Sequence, residues 1–546
     1  MSNAKFNMSL PSNEPVKSYA PGTPERREIR AKLKELKGKE IEIPLVIGGK
    51  EVRTGNLGKC VLPHDHGTVI GTYHKAGEKE VQMAIEASLK ARKQWAAMDW
   101  HDRASIFLKA ADILAGPWRS LLNAASMLCQ SKNVFQAEVD AACELIDFLR
   151  FNTYYTMKIY ERQPPISSVG TWNRLEYRPL EGFIFASTPF NFTSIAGNLP
   201  SAPAIMGNVA LWKPASNAVY SVYYVMKLFQ EAGVPDGVIN FIPGAGSQVG
   251  PIIMDSPDLA GVHFTGSTAT FHNIWQTIGN NIGKYKSYPR IVGETGGKDF
   301  VFAHNDVRIE ELGTALIRGA FEFQGQKCSA ASRAYIPRSI WADLKDFVLE
   351  ELKTVKMGDV EDFGNFVNAV IDETAFSKIT KYIEFIKDSN ETDIISGGNY
   401  DGSKGYFIEP TIAVTSNPHF RTMEEEIFGP ILTIYLYDDD KYEETLHLCD
   451  ETSPYGLTGA ILSRNRDAIT TAEKILVNVA GNFYINDKPS GAVVGQQPFG
   501  GSRASGTNDK AGSFLNLIRW TSPRTIKETL VPPTDYRYPF MLEETH

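Results

Sequence analysis

Cys328 stands in GQKCS at 325–329 and Glu294 in IVGETGGK at 291–298, each in a glycine-framed break of a hydrophobic run. A thiol and a carboxylate so placed can perform covalent catalysis. The thiolate adds to an electrophile, and the carboxylate later activates the water that releases the product. Each residue also has a plainer use. Cysteine is commonly a small buried hydrophobe, and Cys129, Cys143 and Cys449 fit that use in helical runs. Cys328 differs because Gly325, Gln326 and Ser329 surround it with small and polar residues, as a thiol open to substrate requires. Lys327 beside it could lower its pKa or point away. Glu294 could be a strand-end carboxylate paired with Lys298, whereas Gly296 and Gly297 would leave a mobile carboxylate room to swing.

Other segments cluster around the same chemistry: STPFNFT at 187–193, LWKPAS at 211–216, FTGST at 264–268 and EEEIFGP at 424–430. PGAGSQVG at 243–250 has the spacing GxGxxxG, and as a dinucleotide fingerprint it carries little weight, because glycine turns after strands are common. FTGST is more informative, since Gly266 and Ser267 would open a helix whose N-terminal amides could receive a phosphate.

In this order GQKC, ETGGK and their companions resemble the motifs of the NAD(P)-dependent aldehyde dehydrogenase superfamily over roughly residues 40–530. The resemblance implies Cys328 as nucleophile, Glu294 as general base, and Asn191 with the Cys328 backbone N–H as an oxyanion hole. It implies a cofactor site of Thr188, Lys213, Ser216, Gly266, Ser267, Glu426 and Phe428, with Lys213 on the adenosine ribose and Glu426 and Phe428 at the nicotinamide end. Many NAD-specific members carry glutamate where this chain has Ser216; the reading is NAD, with NADP left open. FTGSTATF lacks a further glycine that the family often carries. GQKCSA followed by VVGQQPFGGSRASGTND at 493–509 is similar to the branch that oxidises L-glutamate γ-semialdehyde, and the segments NEPV and TPERREI are similar to its eukaryotic-type, single-function members. That likeness implies substrate contacts from the Ser329 hydroxyl, the backbone amides of Gly491 and Ala492, and Phe499. Backbone amides in a glycine loop suit a carboxylate. Ala492 stands where the family often has serine.

These residues need rigid elements behind them. Apolar residues at three- and four-residue spacing predict helices across about 78–160, and VGTWNRLEYRPL at 169–180 alternates as a strand or hairpin. From residue 182 short apolar runs (GFIFAS, NVALWKP, GVINFIP, GVHFTGS, DFVFAH) alternate with helical stretches, which predicts βαβ units and a parallel sheet. A second series runs through RAYIPR, TDIISGG, IEPTIAVT, GPILTIYLYD and LTGAILS. The expected fold class is α/β: a Rossmann-type cofactor domain, an α/β catalytic domain and a small β oligomerisation extension. The expected division is an N-terminal arm at 1–40, a cofactor domain at 41–158 and 182–293, a catalytic domain at 294–502, and oligomerisation segments at 159–181 and 503–546. A homodimer or higher homo-oligomer is implied by the resemblance.

The 546 residues exceed one small core, and 42% hydrophobic with 22% charged residues is ordinary for a globular chain. A net charge of −8 argues against a nucleic-acid binder. RREIRAKLKELKGK reads as a solvated amphipathic helix beginning at Thr23-Pro24. Apolar runs are too short for a membrane span, and five scattered cysteines suggest neither a disulfide framework nor a metal site. The expected partner is a small-molecule aldehyde, without nucleic acid or membrane. The expected setting is a bacterial cytoplasm, or a mitochondrial matrix after presequence removal. Rival readings are a dehydrogenase for another aldehyde, a non-catalytic dinucleotide-binding or structural protein, and a thiol hydrolase, for which no histidine lies near Cys328 in sequence.

Overall fold

The computed structural model describes residues 6–544. Two seven-stranded sheets organise it. In the first, strands Phe183–Ser187, Ala210–Lys213, Ile239–Phe241, Leu259–Thr265 and Arg290–Glu294 run parallel, with Leu45–Ile47 and Lys50–Val52 added antiparallel at one edge. Counting the parallel strands along the chain, their spatial order is 3-2-1-4-5, the doubly wound arrangement. The order reverses between Phe183–Ser187 and Leu259–Thr265, which opens a crevice beyond their carboxyl ends. STPFNFT and FTGST both leave the sheet there.

The second sheet orders Thr392–Ser396, Thr411–Thr415, Ile431–Tyr437, Ala331–Pro337, Asp299–Ala303, Thr458–Leu462 and Asn482–Ile485; all neighbours are parallel except the first pair. Strand Asp299–Ala303 shows why such strands read as continuous apolar runs. Phe300 and Phe302 enter one core cluster while Val301 and Ala303 enter another on the opposite face. The chain passes from one sheet to the other between Glu294 and Asp299, a stretch occupied by Thr295-Gly296-Gly297-Lys298.

Thr171–Pro179 is a single strand rather than a hairpin. Its partner is Thr521–Thr529, paired antiparallel over its whole length, and local alternation could not name a partner so distant. The helical stretch resolves into Glu78–Ala97, Trp100–Ala115, Arg119–Gln130 and Val134–Tyr160, the last interrupted by a π-helical segment, Glu138–Glu144. Helix Pro24–Lys37 is solvated on one side only, because Ile29, Leu33 and Leu36 are buried against helix Arg119–Gln130.

Candidate active site

A cleft of about 1060 Å³ lies between the sheets. The turn after Phe183–Ser187 brings Thr188, Phe190 and Asn191 to it, and Cys328, Glu426 and Phe428 come from the other side. Asn191 is placed by the helix that begins two residues later. Asp140, on the π-helical segment, caps helix Thr193–Ile205 by accepting the Thr193 and Ser194 backbone N–H groups, both at 3.0 Å. Lys132 pairs with Asp140 in the interior, its ammonium 4.7 Å from the Phe192 ring centroid and 4.5 Å from that of Phe323. One buried cation therefore touches both the Asn191 turn and the approach to Cys328.

That approach is strained. Phe323, Gln324 and Gly325 have φ of +51°, +56° and +66° in succession, a left-handed run that non-glycine residues adopt only when their surroundings compel it. Gln324 supplies the compulsion: its Nε2 donates to Ser131 O at 3.0 Å and Ala369 O at 2.8 Å, and its Oε1 accepts from Asn368 N at 3.0 Å. At Gly325 a Cβ would stand 2.3 Å from the Gly429 carbonyl oxygen, so glycine is required. The turn leaves Cys328 partly exposed in the cleft, whereas the other four cysteines are buried.

Asn191 Nδ2 donates to Gln326 O at 3.1 Å, which ties the carboxamide to the backbone two residues before the thiol. Burial, then the charges of Asp299, Glu294 and Glu426, hold the Cys328 thiol well above its ordinary value. Lys327 does not oppose this, because it turns away into a buried ion pair with Glu322 at 2.9 Å.

Glu294 ends strand Arg290–Glu294, and the segment around it is pinned to the C-terminal stretch: Thr295 N donates to Ser505 O and Gly293 N to Thr507 Oγ1. Its carboxylate turns towards Gly500, where a Cβ would lie 3.0 Å from Oε1, and its buried Oε2 has no partner among the described residues. Burial raises its pKa strongly, Lys510 lowering it and Asp509 raising it further. A pair with Lys298 is absent among the described residues. The Lys298 ammonium is buried without a hydrogen-bond partner there, and burial pushes it down to about 7. Asp299 next to it is pushed up to about 8 by burial while its Oδ1 accepts from Thr458 N. Sequence reasoning passed over Asp299; its signal was a charge entering the apolar run FVFA. The space beside Gly296 and Gly297 belongs to other groups. A Cβ on Gly296 would meet Glu426 Oε2 at 2.4 Å, and one on Gly297 would meet the Cys328 carbonyl at 2.2 Å.

The rest of the cleft suits a dinucleotide. Ser267 caps helix Thr268–Asn280 through its Oγ, and Gly266 and Ser267 line the cleft at that helix's N-terminus. Gly246 and Ser247 of PGAGSQVG line it as well, at the start of helix Gly246–Asp255. A second helix N-terminus thus lines the same cleft, and amides at such ends can receive phosphate charge. Lys213 lines the cleft with its ammonium pushed down to about 8 by burial. Thr188 Oγ1 accepts from Trp212 Nε1 at 3.0 Å. Glu426 Oε1 accepts from Gly297 N at 2.9 Å, and Phe428, at φ +64°, meets Phe190 edge-on. Ser216 is exposed, and its neighbours Ala215 and Asn217 line the cleft. Ser216 opens a short 3-10 turn, Ser216–Ala218.

The four substrate candidates lie outside this lining. Ser329 is buried next to Cys328. Gly491, at φ +94°, is exposed, with Lys488 at its side, and Pro489 packs near Gly319 in the helix leading to the Cys328 turn. Ala492 is half-buried, and half-buried Phe499 exchanges both backbone hydrogen bonds with Ala511.

A doubly wound cofactor-type sheet facing a second α/β sheet, with a thiol between them, defines a class of two-domain oxidoreductase. The family model "Aldehyde dehydrogenase family" matches residues 53–526, and the chain belongs to that family. It is 54% identical over 542 residues to the mitochondrial delta-1-pyrroline-5-carboxylate dehydrogenase of Dictyostelium discoideum, covering 99% of this chain and 97% of that protein. To the human mitochondrial enzyme of that name it is 48% identical, covering 97% and 94%. Among solved structures, the Mycobacterium tuberculosis delta-pyrroline-5-carboxylate dehydrogenase bound with NAD superimposes with a TM-score of 0.96 at 51% identity, covering 99% of this chain and 100% of that one. No described helix is long and apolar enough to cross a membrane.

Proposed function

We propose that this protein oxidises L-glutamate γ-semialdehyde, the open form of Δ1-pyrroline-5-carboxylate, to L-glutamate with NAD, a step of proline catabolism. The observation that carries the reading is that Asn191 and Cys328 line one cleft, with the Asn191 carboxamide bound to the Gln326 carbonyl two residues before the thiol. The aldehyde itself is taken from the full-length relatives named above.

Cys328 reacts as its thiolate. The thiolate adds to the aldehyde carbon, and the carbonyl oxygen takes the electron pair as an oxyanion. Asn191 Nδ2 and the Cys328 backbone N–H meet that oxyanion, each donor worth about 10²–10³-fold in rate. The C–H bond then breaks with its electron pair leaving as hydride, and Cys328 holds the acyl group as a thioester. Lys213, Glu426 and the two helix N-termini would hold NAD, which would supply the hydride acceptor. Glu294 swings from Gly500 towards Cys328 and takes a proton from water as the water oxygen adds to the thioester. Collapse expels the thiolate and frees the acid. The Gly491 and Ala492 amides and the Ser329 hydroxyl receive the α-carboxylate, and Phe499 packs on the aliphatic stem.

Steady-state NAD reduction tests the reading with glutamate semialdehyde, succinate semialdehyde and alkyl aldehydes, and with NADP in parallel. The expected order puts glutamate semialdehyde with NAD first in kcat/KM; a preference for alkyl aldehydes refutes the substrate. Cys328→Ala is expected to lose turnover and keep NAD binding, and full activity refutes the nucleophile.

The ribbon of Thr171–Pro179 and Thr521–Thr529 exposes Trp172 and supports a homodimer or larger assembly; a monomeric mass by sedimentation overturns that. The reading places the enzyme in a bacterial cytoplasm or a mitochondrial matrix.

A further inference from the structure

The segment Asn13-Glu14-Pro15-Val16 has no part in the chemistry above, yet its polar side chains enter the molecule. Asn13 Nδ2 donates to the Val494 carbonyl at 2.7 Å and to Asp147 Oδ2 at 2.8 Å, and its Oδ1 accepts from Gln496 Nε2 at 2.8 Å. Both amide hydrogens and one oxygen lone pair are committed. Glu14 anchors the arm there. Its backbone N–H donates to Asp147 Oδ1 at 2.8 Å, and its carboxylate bridges Arg119 and Arg150. Asp147 belongs to helix Leu145–Tyr160, so the arm ties the loop to the helical layer.

The loop so held is the turn following Gly491 and Ala492. Gln496 N and Gln497 N both donate to Val493 O at 3.0 Å, and Val494 packs on Phe148 and Phe151. At Gly495, φ +83°, a Cβ would stand 2.3 Å from the Phe151 ring, so the turn lies flat against that helix. Beyond this small apolar contact, the Asn13 carboxamide is the polar clamp that fixes the turn's outward face.

The geometry points to Asn13 as a positioning residue for substrate recognition. By clamping the Val493–Gln497 turn it holds the Gly491 and Ala492 amides ready for the carboxylate end of the aldehyde. The inference rests on the role given to those two amides under the proposed function. Donors that are ordered beforehand bind without the entropic cost of ordering them on contact. The N-terminal arm therefore sets affinity for the amino-acid end of the substrate and leaves the chemistry at Cys328 unchanged.

The test is Asn13→Ala, and separately Asn13→Asp, in the full chain, with glutamate semialdehyde and propanal as paired substrates. Asn13→Ala is expected to raise KM for the semialdehyde about ten-fold, with kcat and the KM for propanal within about two-fold of wild type. Asn13→Asp puts a second carboxylate against Asp147 and the Val494 carbonyl, and should raise it further. The inhibition constant of L-glutamate should rise by the same factor, a readout independent of turnover that a general loss of fold would not confine to one ligand. Equal loss on both aldehydes, or an unchanged semialdehyde KM, overturns the inference alone. A wild-type enzyme with no preference for the semialdehyde over propanal overturns the substrate reading and this inference with it.

Discussion

Replacing Asn191 by alanine separates two jobs that one carboxamide performs. One N–H of Nδ2 is bound to Gln326 O at 3.1 Å, and the other is the oxyanion donor proposed above, Asn191 and Cys328 both lining the cleft. Loss of the first removes a buried hydrogen bond worth about 1 kcal/mol net. Loss of the second removes an oxyanion donor, about 2.7–4 kcal/mol in the transition state, or roughly 10²–10³-fold in kcat. The second effect dominates, so the variant should fold with a melting temperature within about 3 °C of wild type yet turn over hundreds of times more slowly. Because the donor acts on charge that develops only as the thiolate adds, KM and NAD affinity should stay within about three-fold. Asn191→Asp keeps the volume and places a carboxylate against the oxyanion, so it should be slower than alanine. The assay is steady-state NADH formation alongside calorimetric melting and fluorescence titration of NAD. A well-folded Asn191→Ala enzyme with kcat within about three-fold of wild type would refute the reasoning.

Glu294→Gln should accumulate the Cys328 thioester, visible as added acyl mass after rapid quench. In the wild type, hydrolysis should quicken as pH rises through the raised Glu294 pKa, because only the ionised carboxylate acts as base; a flat profile counts against that role. Asp299 has a folded pKa raised to about 8, so the folded state holds a proton that the unfolded state has lost. Its contribution to stability therefore falls as pH rises from about 4 to 8. Asp299→Asn should match wild type in melting temperature near pH 4 and exceed it at pH 9; lower stability at pH 9 sinks the argument. Lys132→Met leaves Asp140 buried without its cation and removes the contact with Phe192 and Phe323, which should destabilise the protein by about 3–5 kcal/mol in calorimetry. An unchanged melting curve would show that the pair contributes nothing.

The alternation of apolar runs with helical stretches made the α/β class legible, because a strand buried on both faces reads as a continuous apolar run, as FVFA at 300–303 does. Helix starts were legible where a local signal exists, as at Thr23-Pro24 and Ser267. Cys328 stood out from the other four cysteines because its neighbours are small and polar, a property of adjacent residues. That Gly246 and Ser247 of PGAGSQVG line the same cleft as Gly266 and Ser267 was not legible, because shared space between remote segments has no trace in spacing. The strand Thr171–Pro179 was legible, but its partner Thr521–Thr529 was not.

The chain's own order of residues thus determined which segments are strands and which are helices, and it singled out the side chains proposed to carry chemistry, since periodicity, capping and composition act over a few neighbouring positions. Tertiary structure alone decided the direction of charged and polar side chains: Lys327 to Glu322 instead of Cys328, Glu294 to Gly500 instead of Lys298, and Asn13 onto the turn at Val494. Those choices depend on which groups from remote segments share a desolvated space. Electrostatic and hydrogen-bond energies there fall off over a few ångströms of space, whatever the distance along the chain.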